Sequence, residues 1–211
     1  MNFKAVIFDL DGVICHTDHY HYIAWKAIAD ELNIPFDEKI NDRLRGVSRM
    51  ESFHIILERY HGVLTKQQEL HYIEEKNQIY RGLLQRMTPG DLDSSILRTL
   101  QCLRERGLKL AIGSSSKNTA LILERIGLGN FFDAVCDGTQ ITHSKPDPEV
   151  FLKASEMLGV LPEFCLVVED ARTGLQAAHA GGMECAALGP DATSSKIADY
   201  NLGSFSDLLL V

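Results

Sequence analysis

Asp9 and Asp11, one leucine apart, stand directly behind the apolar run Phe3-Lys4-Ala5-Val6-Ile7-Phe8. Such a run predicts a buried strand. In an open parallel α/β sheet, ligands gather at the carboxyl ends of strands. Two carboxylates there are costly to bury unless a cation or a proton offsets them. One suits a nucleophile and metal ligand, the other a general acid/base. Alternation along a strand would aim both at the same substrate. Taken alone, Asp11-Gly12 reads as a turn; three more polar clusters at predicted strand ends decide against that.

The predicted strand Leu108–Gly113 runs into Ser114-Ser115-Ser116-Lys117, hydroxyls and amides that suit a phosphate at a helix start, or ordinary capping by Ser116. The predicted strand Phe132–Cys136 leads to Lys145-Pro146-Asp147-Pro148. Lys145 there is a cation for phosphoryl oxygens or a plain surface lysine, and the two prolines favour a positioned side chain. The predicted strand Phe164–Val168 ends in Glu169-Asp170, a candidate Mg²⁺ site; Asp170 equally fits an N-cap. A carboxylate pair, a hydroxyl cradle, a cation and a second carboxylate pair suit phosphoryl transfer through a carboxylate with a divalent metal.

Supporting elements follow from pattern. Residues 17–88 hold no strand and read as helices, the last from Thr65 to Met87, with Thr65 as cap and Pro89-Gly90 as stop. From residue 91, helices 94–106, 117–126, 147–158 and 171–180 alternate with strands 108–113, 132–136, 164–168 and 184–188. That alternation predicts a parallel sheet. The expected fold is α/β: a Rossmann-like core of residues 1–14 and 89–211 with helices on both faces, carrying an all-helical cap domain over 15–88. The tail 192–211 is open, with a short final helix at 207–210 as one reading.

In the insert, Thr17 and His21 align on one helical face, and Trp25 reads as core. The run Cys15-His16-Thr17-Asp18-His19 holds metal-ligand types, but the remaining histidines are dispersed and no transition-metal site is expected. Leu44-Arg45-Gly46-Val47-Ser48-Arg49 is a basic break between helices, a phosphate-binding guanidinium or a solvated loop. The net charge of −8 without a Lys/Arg run argues against nucleic acid. No apolar stretch is long enough for a membrane span, and five scattered cysteines suit a cytoplasmic protein.

These motifs, in this order, resemble the haloacid-dehalogenase superfamily of phosphotransferases, and within it the β-phosphoglucomutase family. Asp9-Leu10-Asp11-Gly12-Val13, Ser114, Lys145-Pro-Asp-Pro and Val168-Glu169-Asp170 carry the wider likeness. The segments 44–52 and 21–27 and Lys76-Asn77 carry the narrower one. The resemblance implies interconversion of β-glucose 1-phosphate and glucose 6-phosphate through a bound bisphosphate. Asp9 would be the phosphorylated nucleophile and Asp11 the acid/base. Mg²⁺ would lie among Asp9, Asp11 (through its carbonyl), Glu169 and Asp170. Ser114 and Lys145 would hold the transferring phosphate; Arg49, Ser116, Lys117 and Asn118 would hold the distal one.

Thr17, His21, Trp25, Gly46, Val47, Ser48, Ser52, Lys76 and Ser115 would complete the substrate-binding set. His16, Arg45 and Ser115 depart from the mutase pattern, which has an acid, a lysine and often alanine there. The resemblance implies a small-molecule sugar phosphate as partner and a cytoplasmic enzyme; a monomer is expected. The alternative is a Mg²⁺-dependent sugar-phosphate phosphatase of the same fold. A phosphorylated receiver domain would need neither the Asp-x-Asp spacing nor the insert.

Overall fold

The computed structural model describes residues 3–44 and 47–211. The chain forms two compact units: one from the segment up to His16 together with Met87–Val211, the other from Thr17–Arg86. It opens with β1 (Ala5–Phe8) and then enters the helical unit of α1 (Asp18–Glu31), α2 (Glu38–Asp42), α3 (Arg49–Leu57) and α4 (Lys66–Leu84). The remainder runs α5 (Ser94–Glu105), β2 (Lys109–Gly113), α6 (Thr119–Arg125), β3 (Ala134–Cys136), α7 (Glu149–Leu158), β4 (Cys165–Glu169), α8 (Arg172–Ala180), β5 (Glu184–Leu188), α9 (Pro190–Ser194) and β6 (Tyr200–Leu202). Three short 3₁₀ turns, the last at Phe205–Leu210, complete the described elements.

Six parallel strands lie in the order β3-β2-β1-β4-β5-β6. The chain builds outward from β1 on one side and then returns to β1's other side with β4. The ends of β1 and β4 therefore flank the switch point where such sheets bind ligands. Every residue of β1 is buried, as expected of a central parallel strand covered on both faces. On one face Ala5, Ile7, Ala111 and Val167 pack with Phe151, Ala154, Leu175 and Ala178 from α7 and α8. On the other, Val6 and Leu166 meet Leu103 of α5 and Leu208, and Phe8 stacks on Phe205 at 5.7 Å.

The helical unit has its own core, centred on Trp25, Ile28, Phe53 and Ile56. Thr65 and Gln68 form a reciprocal capping box at the start of α4. Gly107, φ +83°, follows the end of α5 in the left-handed conformation that closes a helix cheaply. All five cysteines are free thiols. Among the described residues, no helix is long and apolar enough to cross a membrane.

The tail, left open by the sequence, takes a definite form. It contributes α9 and a sixth strand, Tyr200–Leu202, besides the terminal 3₁₀ turn. A three-residue edge strand is too short for its alternation to register in sequence.

Candidate active site

The two leading acids are positioned by different devices. The Asp9 amide still donates to the Val168 carbonyl at 2.9 Å, so sheet hydrogen bonding fixes that residue just beyond β1. Asp11 lies outside the strand. Gly12 N donates to the Cys15 carbonyl at 2.7 Å, and Ile14 N and Cys15 N donate to the Leu10 carbonyl. A turn rather than strand alternation therefore aims Asp11, which corrects the expectation. Gly12 adopts φ +90°, and a Cβ there would lie 2.1 Å from Asp170 Oδ2. Only glycine lets the turn pass so close to that carboxylate.

Lys145 Nζ donates to Asp9 Oδ1 and to Glu169 Oε1, both at 2.5 Å, and lies 4.6 Å from the centroid of the Phe151 ring. All three charged residues are buried. Lys145 is thus no surface lysine. Its loop is anchored by Glu149, whose Oε2 accepts from the amides of Thr142 and His143 at 2.9 and 2.7 Å. Glu169 closes β4, and its Oε2 accepts from Ala171 N at 3.0 Å. The N-cap position of α8 is Ala171, one residue beyond Asp170. Gly174, one turn into α8, has no room for a Cβ, which would fall 1.9 Å from Glu169 Oε1.

Burial pushes the Asp9 carboxyl above the ordinary carboxylate range; Lys145 opposes this, while Glu169 and Asp11 add to it. For Lys145, burial disfavours the charge, but Asp9 and Glu169 outweigh it and hold the ammonium protonated. Asp9 and Glu169 thus share the ammonium of Lys145, and repulsion from Glu169 and Asp11 adds to the burial cost at Asp9.

After β2, Ser114 N donates to the Cys136 carbonyl at 3.0 Å. Ser114 Oγ accepts from Ser116 N at 3.1 Å, and Ser116 Oγ accepts from Asn118 N at 3.2 Å. Helix α6 begins later than expected, at Thr119, with Asn118 as N-cap, so Ser116 supports the preceding turn instead of capping. Asn118 is buried and Lys117 exposed. The Ser115 hydroxyl is buried without a hydrogen-bond partner, a donor left over in the cradle.

The helical unit carries a second cluster, cationic and aromatic. Lys76 of α4 is buried, with Nζ 2.8 Å from His21 Nδ1, 4.9 Å from the Trp25 ring centroid and 4.5 Å from that of Tyr80. Tyr80 lies against the His21 ring at 4.1 Å and donates to Thr17 Oγ1 at 3.1 Å. Burial, then Lys76 and Arg49, hold His21 far below the usual imidazole range, so neutral Nδ1 accepts from the lysine. Arg49 opens α3; burial lowers its pKa while Glu74 works against that. Ser48 caps α3 through Glu51 N, Val47 is half-buried beside it, and Ser52 is buried. Trp25 stacks on Phe53 at 6.0 Å in the core and meets the cluster through Lys76. Arg45 and Gly46 lie outside the described residues.

A family model for haloacid dehalogenase-like hydrolases matches residues 3–182. The chain belongs to the haloacid dehalogenase-like hydrolase family. A β-phosphoglucomutase of Bacillus subtilis is 44% identical over 191 residues, covering 88% of this chain and 83% of that one. A phosphorylated-carbohydrates phosphatase of Thermotoga maritima is 31% identical, covering 86% and 82%. The crystal structure of a β-phosphoglucomutase from Clostridium difficile superposes with TM-score 0.90 at 33% identity, over 98% of this chain and 93% of that one.

In this haloacid dehalogenase-like hydrolase the donor set fits a hard divalent cation. Asp9, Asp11, Glu169 and Asp170 offer oxygen only, and the burial and acid neighbours that raise the Asp9 carboxyl would be offset by such a cation. The sequence motifs passed over Gly174, Phe151 and Tyr80. Tyr80 had a signal: it stands one helical turn after Lys76, on the same face.

Proposed function

We propose that the protein is a β-phosphoglucomutase, interconverting β-glucose 1-phosphate and glucose 6-phosphate through a phosphorylated Asp9 and a bound bisphosphate. The observation that carries this is the pairing of charges at Asp9: a buried carboxylate held by Lys145 beside a second acid, Asp11, on its own turn. The 44% identical mutase relative supports the same reading.

In the forward step the sugar 6-hydroxyl attacks phosphorus on phospho-Asp9, and Asp11 takes the hydroxyl proton. The Asp9 carboxylate leaves, and the bisphosphate then presents its 1-phosphate. Asp9 attacks that phosphorus, and Asp11 returns its proton to the departing C1 oxygen. Lys145 and the Ser114 cradle hold the phosphoryl oxygens. When Mg²⁺ is bound, for which Asp9, the Asp11 carbonyl, Glu169 and Asp170 are the proposed ligands, it neutralises charge on the transferring group. Arg49, with Ser116, Lys117 and Asn118, is proposed for the distal phosphate.

The phosphatase relative keeps a second reading in play, in which water accepts the phosphoryl group. The two differ in their need for a distal anion site. Arg49→Ala should lower conversion of β-glucose 1-phosphate to glucose 6-phosphate by roughly 10²-fold. Hydrolysis of acetyl phosphate, which has no distal phosphate, should fall far less. Equal loss in both assays, or a wild type that only releases inorganic phosphate in ³¹P NMR, assigns the protein as a phosphatase.

A further inference from the structure

At the end of the sheet opposite the strand termini that carry Asp9 and Glu169, three different ligand types converge. His179 lies in the last turn of α8, Cys185 is the second residue of β5, and Asp199 immediately precedes β6. Their donor atoms all lie within 4.8 Å of one another. His179 Nε2 is 2.9 Å from Asp199 Oδ2 and 3.4 Å from Cys185 Sγ. The framework is set by backbone. Asp199 N donates to the Cys185 carbonyl at 3.0 Å, and Cys185 N donates to Asp199 Oδ2 at 2.8 Å.

We propose that His179, Cys185 and Asp199 form a binding site for one zinc ion, or a cation of the same borderline-soft class, with water as fourth ligand. Imidazole, thiolate and carboxylate together are a zinc-type set, unlike the all-oxygen set at Asp9. Tetrahedral zinc with bonds of about 2.0–2.3 Å places neighbouring donors roughly 3.4–3.6 Å apart. The sulfur–nitrogen pair already has that spacing. The nitrogen–oxygen pair must open by roughly half an ångström. His179 and Asp199 have the freedom to do so, with side chains 39% and 37% exposed, and that open side admits the water. Cys185 is fully buried beneath them.

Burial chiefly pushes the Cys185 thiol up to about 12, so it holds its proton until a cation displaces it. Binding then forms a zinc–sulfur bond and releases one proton to solvent. The Nε2 proton that His179 shares with Asp199 is replaced by the metal, and the neutral ring carries its proton on Nδ1. The ion would tie α8, β5 and the entry to the edge strand β6 together.

Cobalt(II) titration of the full chain in excess Mg²⁺ tests this, because only a thiolate ligand gives a near-ultraviolet sulfur-to-cobalt charge-transfer band. One equivalent should produce the band, and zinc should abolish it. Zinc at a hundredfold excess over its Kd should raise Tm by roughly 5–10 °C. The exposed variants His179→Ala and Asp199→Asn should each weaken the band's affinity at least tenfold, and Cys185→Ser should remove it. Since Cys185 is buried and its variant risks misfolding, the two exposed variants carry the test independently. A missing band, a band that survives Cys185→Ser, or unchanged affinity in both exposed variants overturns the site.

Discussion

The two charged clusters are built on opposite terms. In the α/β unit, carboxylates surround a single ammonium, Lys145, and burial raises the Asp9 pKa. In the helical unit, Lys76 is faced by the rings of Trp25 and Tyr80 and by a His21 that burial keeps neutral. The second cluster places its positive charge against aromatic faces and a neutral imidazole nitrogen. At the first, burial and the neighbouring acids Glu169 and Asp11 already disfavour the Asp9 charge, so a phosphate arriving there calls for a further cation. Placing the two on separate units lets each be held by its own core.

The largest expected effect breaks the anionic cluster at Asp9, its proposed nucleophile. Asp9→Asn keeps the size of the side chain but cannot form an acyl phosphate. Turnover should fall by roughly 10⁴-fold or more with an unchanged circular dichroism spectrum. Near-wild-type turnover would remove the mechanism. Next comes the cation: chelation should abolish activity and Mg²⁺ restore it, while Asp170→Ala should raise the Mg²⁺ requirement by roughly 10²-fold. Full activity after exhaustive chelation refutes the metal assignment. The Arg49→Ala pair of rates is the matching break in the cationic cluster.

Gly174→Ala asks whether the anionic cluster tolerates added volume. In a bare helix the exchange would stabilise by about 1 kcal/mol. Here the new Cβ meets Glu169 Oε1 at 1.9 Å, and overpacking costs of about 1–3 kcal/mol should win. Urea unfolding should therefore show a lower midpoint, and a higher one would contradict the packing described here.

The smallest effect concerns Glu149, the same class of acid as Asp9 shifted the other way. Its bond to Lys153, then the amides of His143 and Thr142, hold it down to about 2 from an ordinary 4.5. Because its folded pKa is depressed, its stabilisation is complete above about pH 4.5 and drains away as pH falls toward 2. The gap in stability between wild type and Glu149→Gln should shrink over that window in acid-unfolding curves. A gap independent of pH would show that the Lys145 loop does not depend on this charge.

The fold was legible because the core strands are short apolar runs ended by polar clusters, and the helices between them carry their own stops. The strand-end motifs pointed to Asp9, Lys145 and Glu169, which the structure brings within direct bonding distance. What did not read was geometry without a residue-type signature. The turn that carries Asp11 looked like continued strand, because Leu10 is as buried as a strand residue. Gly174 is silent in a helical pattern until Glu169 is placed against it. Phe151 reads as ordinary core until the ammonium of Lys145 is found over its ring. The edge strand β6 spans too few residues to show a period.

The position of β1 in the sheet governs the order in which the molecule can be assembled. Ile7 is paired in register with Ala111 on one side and Val167 on the other. During synthesis the strand leading to Asp9 is made before the helical unit, yet both of its neighbours are made only after it. Closing so long a stretch of flexible chain costs entropy that grows with its length. The Tyr80–Thr17 hydrogen bond reduces that length, because it clips the end of α4 to the entrance of α1 at 3.1 Å. A nascent chain stopped short of residue 165 holds the proposed nucleophile, Asp9, but lacks the acids at 169 and 170. On the proposed mechanism, catalytic competence therefore arrives late and all at once, when β4 slots in beside a strand that has waited for it.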